Sequence, residues 1–245
     1  MPIGESAPSP RPRDVEETLR KCRILDLAPV GIGSNAVFLA SLELPGGEGR
    51  GIYKPRRGER PLWDFPRGTL YLREVAAFEV DRALGWGLLP TTVMRRDGPL
   101  GPGSLQEFVE GPDDELEVDK EKLERDLIGL AVLDVVINNA DRKSQHLLVD
   151  SCGHLKGIDH GVTFNKEFKL RTVLAELGGQ PIPEFWLHGL RALWHDRERV
   201  GGLTARLRPL LAPDEIRALE RRSLSLLSSR HFPQLHPWYG RPFEW

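Results

Sequence analysis

Residues 135–150, VVINNADRKSQHLLVD, and the GIDHG that follows at 157–161 decide how the rest of the chain is read. The stretch leaves an apolar run that starts at Glu121 and is amphipathic at first, then apolar nearly all round by Asn138, the pattern of a helix buried among other helices. LLVD and LKGID then read as two short strands joined by residues 151–154. A four-residue connection pairs Asp150 with Leu155, and the same register brings His146 opposite Asp159. Directly opposed side chains of an antiparallel pair have Cβ atoms about 4.5–5.5 Å apart, so two side chains able to ligate a metal are expected to meet at one end of the hairpin. Asp141, on the loop entering the first strand, is within reach of a hydroxyl held beside that metal.

Outward from this centre, the N-terminal half reads as a sheet with one helix. Residues 24–44 give two extended segments around the turn VGIGSNAV, where Gly31, Gly33 and Asn35 suit unusual backbone angles and, with Ser34, form a candidate phosphate cradle. A third strand, RGIYKP, carries Lys54. TLYLREVAAFEVDRALG is helix-forming throughout, bears Glu74 and ends on Gly85 as a C-terminal cap. Short strands near 91–95 and 104–109 complete a sheet of about five strands. The acidic, proline-containing EGPDDELEVD at 110–119 marks a lobe boundary. Residues 1–13 hold four prolines and little apolar surface and are expected to form a flexible tail, leaving lobes at 14–110 and 111–245. Further helices are expected around 166–177, 183–195 and 213–229.

Phosphoryl transfer asks little covalent work of a protein: the phosphates must be held, their charge neutralised, and the nucleophile aligned. Asp141, His146, Asp159 and Lys54 meet those needs, with Glu74 on the next helix available to steady the lysine. VVINNADRKSQHLLVD with GIDHG resembles the catalytic loop and metal-binding motif of the phosphatidylinositol 3- and 4-kinase superfamily. REVAAFEVDRALGWGLLPTT and GSLQEFVEG resemble the corresponding helix and hinge of type II phosphatidylinositol 4-kinases. The likeness runs over residues 30–165. It implies an α+β, two-lobed protein-kinase-like fold, with an N-terminal antiparallel sheet bearing one helix and a mainly helical C-terminal lobe.

On that resemblance Lys54 is the phosphate-binding lysine, Glu74 its helix partner, Asp141 the catalytic aspartate and Asp159 the metal-binding aspartate. The backbone of Gln106, Phe108 and Val109 faces adenine. ATP and magnesium, with manganese as the alternative ion, are the cofactors implied, and His146 stands where the family has a second metal-binding asparagine. The activity implied is transfer of the γ-phosphate to an acceptor hydroxyl, with a protein serine or threonine placed ahead of a lipid or small molecule. The alternatives are a non-catalytic nucleotide-binding scaffold and a nucleotidyl transferase on the same fold.

Each residue also has a plainer reading. Asp141 can cap local backbone, Asp159 can be a turn aspartate before glycine, and His146 can be a structural hydrogen-bonding group at a strand start. Trp186 and Trp194 read as core or groove packing, and the aromatic tail HFPQLHPWYGRPFEW as packing on the helical lobe.

The whole composition narrows the class further. A net charge of −2 gives no reason to expect tight non-specific binding to nucleic acid, whose phosphate backbone usually demands a basic face. No apolar run approaches the roughly 20 residues of a membrane span, so a cytoplasmic location is the default expectation. Cys22 and Cys152 have no metal or redox spacing and read as reduced thiols.

Overall fold

The computed structural model describes residues 12–31, 35–113 and 116–235. Most of the expected flexible tail, and the end of the aromatic tail, lie outside the described residues. The chain opens with α1 (Pro12–Lys21), where a proline in the first turn sacrifices no needed donor. Val15, Leu19 and Cys22 pack this helix on the sheet against Tyr53, Val93 and Leu105. The Arg95 guanidinium donates to the carbonyls of Leu19 and Cys22 at 3.1 and 2.9 Å, answering acceptors that the helix end leaves open.

Five strands form one antiparallel sheet: β1 (Arg23–Pro29), β2 (Phe38–Leu44), β3 (Gly47–Pro55), β4 (Thr92–Arg95) and β5 (Gly103–Glu107), in the order β1-β2-β3-β5-β4. Lys54 of β3 pairs with Ser104. A Cβ on Gly103 would lie 2.5 Å from the Lys54 carbonyl oxygen, so only glycine lets β5 close on the end of β3 that carries the lysine. The expected last strand stops at Glu107, and Phe108 and Val109 leave the ladder.

Between β3 and β4 runs α2 (Leu70–Leu84), ended by Gly85 at φ 72°. Its Val75, Ala76, Val80 and Leu84 belong to one large apolar core with α3 (Lys120–Ile137), α4 (Glu184–His195), α5 (Arg197–Leu207) and α6 (Pro213–Ser229), whereas the sheet and α1 enclose a smaller one. Asp119 caps α3 and Asp196 caps α5, each accepting two backbone N–H groups. Trp186 lies in the large core, edge-on to Trp86 at 5.0 Å between centroids, as core packing requires. Cys22 and Cys152 are both free thiols. Among the described residues no helix is long and apolar enough to cross a membrane.

Three expectations need correction. The first is the hairpin of β6 (Leu147–Val149) and β7 (Leu155–Gly157), whose observed pairs are Leu147 with Gly157 and Val149 with Leu155. The register is thus one residue from that expected. Asp150 donates its backbone N–H to the His154 carbonyl, and Gly153 at φ 74° turns back on the Asp150 carbonyl, which leaves residues 151–153 as the connection, one fewer than expected. The second is the helix expected over 166–177, of which only a 3-10 turn, Ala175–Leu177, forms. Phe164 stands at φ 61°, Arg171 and Val173 bond the backbones of Asn139 and Arg142, and Lys169 donates to the Asn138 side chain, so the groups a helix needs are bound elsewhere. The third is α5, which was not expected because its two adjacent glycines and many charges blur the helical period.

Where α3 crosses α4, Gly129 presses on Trp186: a Cβ at 129 would lie 2.4 Å from the indole. In an exposed helix, glycine to alanine stabilises by about 1 kcal/mol. At this crossing Gly129→Ala is expected to destabilise by about 1–3 kcal/mol through overpacking, measured as a lower urea midpoint at unchanged slope.

Candidate active site

The last residues of β3 and the middle of α2 face each other across the edge of the sheet. Lys54 Nζ lies 2.5 Å from Glu74 Oε1 and 3.0 Å from Asp159 Oδ1. Burial alone would draw a lysine's pKa down, yet the Asp159 and Glu74 carboxylates outweigh it and hold Lys54 above its ordinary range. The Lys54 ammonium in turn holds Asp159 well below the usual carboxylate range, against the effect of burial. Glu74 is pushed up by burial, which the lysine opposes. Its second oxygen accepts the backbone N–H of His160 at 2.9 Å, so one carboxylate fixes both the lysine and the chain after Asp159.

The loop carrying Asp141 hangs from the end of α3. Asn138 ends that helix in the left-handed region at φ 57°, and its amide donates to the carbonyls of Asn165 and Glu167. Asn139 donates to Asp134 and accepts the Asp141 N–H at 3.0 Å. Arg142 is fully buried, with Nε and Nη2 each 2.9 Å from an oxygen of Asp134. Its remaining N–H groups meet the carbonyls of Ile158 and His146 and the Nε2 of His160 at 2.6 Å. A guanidinium only donates, so His160 Nε2 is the acceptor and the imidazole is neutral. Burial, helped by Arg142, holds the His160 pKa well below the usual histidine range.

Asp141 itself is partly exposed and pairs with Lys143 at 3.1 Å. Burial raises its pKa, opposed by the Lys143 contact. His146 Nε2 lies 3.4 Å from Asp159 Oδ2. The two residues therefore meet, although the register places His146 opposite Ile158, whose N–H donates to the His146 carbonyl. Asp159 adopts φ 60°, which breaks the alternation of the strand and returns its side chain to the histidine. Burial lowers the His146 pKa, against the pull of Asp159.

A cavity of about 190 Å³ gathers Asn35, Lys54, Glu74, Asp141, His146 and Asp159 on its walls, along with Glu59 and Tyr71. Gly31, at φ 69°, does not line it, and Gly33 and Ser34 lie outside the described residues. Asn35 closes one corner by accepting the Arg60 N–H at 2.7 Å. Nor do Gln106, Phe108 and Val109 line this cavity. Gln106 is enclosed between β3 and β4, its side chain donating to Thr92, so the sheet offers no free backbone edge there. Phe108 and Val109 make no backbone hydrogen bond to another described residue, and the Arg50 guanidinium lies 4.3 Å above the Phe108 ring. Among the described residues no three His, Cys, Asp or Glu side chains form a metal-binding group. Asp159 with His146 is a two-member donor set that suits a divalent ion completed by ligand oxygens and water.

Asp134, Asn138, Asn139, Arg142 and His160 support the site and were given no role in it by the sequence reading. Asp134 left a signal, a carboxylate inside the apolar second half of a helix, which is costly unless a cation is paired with it. His160 left none, since its partner depends on the fold.

Residues 84–183 match the family described as phosphatidylinositol 3- and 4-kinase. The chain is 38% identical over 258 residues to Protein Rv2133c of Mycobacterium tuberculosis (strain ATCC 25618 / H37Rv), an alignment covering 89% of this chain and 90% of that one. It belongs to the same family as that protein, and its residues 84–183 carry the likeness to the phosphatidylinositol 3- and 4-kinase family. Hydra Fam20, solved with sugar, superposes at TM-score 0.63 and 18% identity over 89% of this chain and 87% of its own. The Golgi casein kinase with Mn/ADP bound superposes at 0.57 and 15% identity, over 89% and 74% of the two chains. The Helicobacter pylori proinflammatory kinase CtkA gives 0.51 and 12%, over 87% and 94%. The fold is thus the two-lobed protein-kinase-like one, and the domain is of kinase type.

Asp134→Asn leaves the buried Arg142 charge without a counter-ion. It is expected to cost about 3–5 kcal/mol in denaturant unfolding, more than an exposed ion pair would. A loss below about 1 kcal/mol would show that the pair does not hold the loop.

Proposed function

We propose that the protein is an ATP-dependent phosphotransferase that moves the γ-phosphate to an acceptor hydroxyl, a serine or threonine of a protein ahead of a lipid or small molecule. The observation that carries this reading is Lys54 held between Glu74 and Asp159 on the wall of a cavity that Asp141 enters from the other lobe. The Mn/ADP of the Golgi casein kinase and the sugar of hydra Fam20 support a nucleotide, a divalent ion and a hydroxyl acceptor in this fold.

In this reading Lys54 neutralises phosphate charge, and Glu74 keeps its ammonium pointed at the phosphates instead of at solvent. Asp159, with His146, is the donor set for magnesium or manganese, whose contribution when bound is to offset the charge of the phosphate oxygens. Asp141 accepts the proton of the acceptor hydroxyl as its oxygen bonds to the γ-phosphorus and the bond from that phosphorus to the bridging oxygen breaks, leaving ADP. Burial makes the Asp141 carboxylate a better proton acceptor than a free aspartate. A non-catalytic nucleotide scaffold would have no use for that group.

Incubation with labelled ATP, scored separately for phosphate transfer, AMP transfer and binding, tests the reading. Asp141→Asn should keep nucleotide affinity within a few fold and lose turnover by roughly 100-fold or more. Lys54→Ala should weaken both. Equal loss of affinity and turnover in Asp141→Asn would count against its role.

Burial lowers the His146 pKa below the ordinary histidine range, which favours the neutral imidazole a metal needs, and protons compete for it on the acid side. Activity is expected to fall on that acid side. Imidazole suits manganese better than magnesium, and His146→Asn should shift the activity ratio toward magnesium and soften the acid limb. An unchanged ratio and an unchanged limb would remove His146 from the donor set.

A further inference from the structure

The loop from Arg56 to Thr69 joins β3 to α2 and carries four arginines against Glu59 and Asp64. Both ends of it reach the cavity, through Glu59 at one and Leu70 and Tyr71 just past the other. Its middle is fastened to the other lobe. Asp64 pairs with Lys169 at 3.0 Å, its carbonyl accepts the Asn165 amide at 2.9 Å, and Glu59 accepts the Tyr71 N–H at 2.8 Å. On this anchored loop Trp63 is 92% exposed, with Lys169 4.7 Å from its ring and the half-exposed Phe168 next in the chain.

A tryptophan held outward by a fixed loop leaves a large apolar face in water, and tryptophan is enriched among the residues that dominate binding surfaces. The charge around it is positive in excess, four arginines against two carboxylates in the loop itself. Arg57, Arg60 and Arg67 are exposed and form no ion pair with a described residue, and residues 166–171 add three cations against Glu167, in a chain whose net charge is −2.

We propose that this surface docks an acidic polypeptide segment and presents its serine or threonine to Asp141, an inference that rests on the phosphotransferase reading above. Unpaired arginines match carboxylates two hydrogen bonds at a time, and Trp63 offers a flat face for an apolar side chain between them. A membrane is the poorer fit, because two exposed apolar side chains on a loop give far less insertable area than an amphipathic helix.

The test uses the full chain and a fluorescein-labelled peptide with one serine among glutamates, against the same peptide with glutamines. The glutamate peptide is expected to bind at least about tenfold more tightly, a margin that shrinks as salt rises. The combined variant Arg57→Gln, Arg60→Gln, Arg67→Gln should abolish the margin, and Trp63→Ala should weaken binding of both peptides. Nucleotide affinity should not change in either variant. Asp141→Asn should bind the peptide as the parent does. Equal binding of the two peptides, or a margin that survives loss of the three arginines, overturns the docking surface, as does capture by phosphatidylserine vesicles without peptide binding. With labelled ATP, a glutamate peptide that binds by this surface and is never phosphorylated overturns the phosphotransferase reading and leaves the surface standing. Phosphorylation of both peptides at equal efficiency overturns the surface and leaves that reading standing.

Discussion

Arg142 is the group around which the site has to be built, because a guanidinium cannot shed its charge and this one has no exposed surface. A charge so placed is tolerable only if every donor is answered, and here each is: Asp134 takes two, the carbonyls of His146 and Ile158 take two more, and His160 takes the last. The partners come from the end of α3, the residues just before β6 and just after β7, and the residue after Asp159. Satisfying one cation therefore sets the position of Asp141, His146 and Asp159 relative to one another. The backbone of Arg142 adds a further tie, bonding residues 171 and 173 and holding that segment extended beneath the loop.

How much of this was legible in the chain depended on the range over which each cause acts. Helix α2, its glycine stop and the five strands were readable because period, cap and turn residues act locally. The helix expected over 166–177 failed for the opposite reason. Its local composition favours helix, but Asn138, Asn139 and Arg142 claim its backbone groups from thirty residues away in sequence. Lys54, Glu74, Asp141, His146 and Asp159 were found by residue type and spacing, and the fold gathers them around one cavity. The adenine-facing assignment of Gln106 came with the resemblance of GSLQEFVEG to a hinge, and a sequence likeness cannot tell an inner ladder residue from a free edge.

The hairpin shows how a wrong register can still bring the right residues together. A slip of one position exchanges the faces of a strand, so on alternation alone Asp159 should point away from His146. It does not, because Asp159 has left the strand. A positive φ at a non-glycine residue costs about 1–3 kcal/mol unless the surroundings impose it, and here they do. Lys54 draws the carboxylate from one side, and Glu74 holds the next backbone N–H from the other.

That double use of Glu74 ties the two halves of the cleft into one arrangement. If the carboxylate turned from Lys54, the His160 N–H would lose its acceptor in a buried place. If the chain at Asp159 and His160 moved, Lys54 would lose a carboxylate and Arg142 its fifth acceptor. Helix α2 cannot relax independently to follow either change, since its apolar face lies in the same core as α3 and α4. The lysine of the sheet, the carboxylates of the cleft and the buried arginine beneath them thus shift together or not at all, which is the preorganisation that the proposed phosphoryl transfer requires.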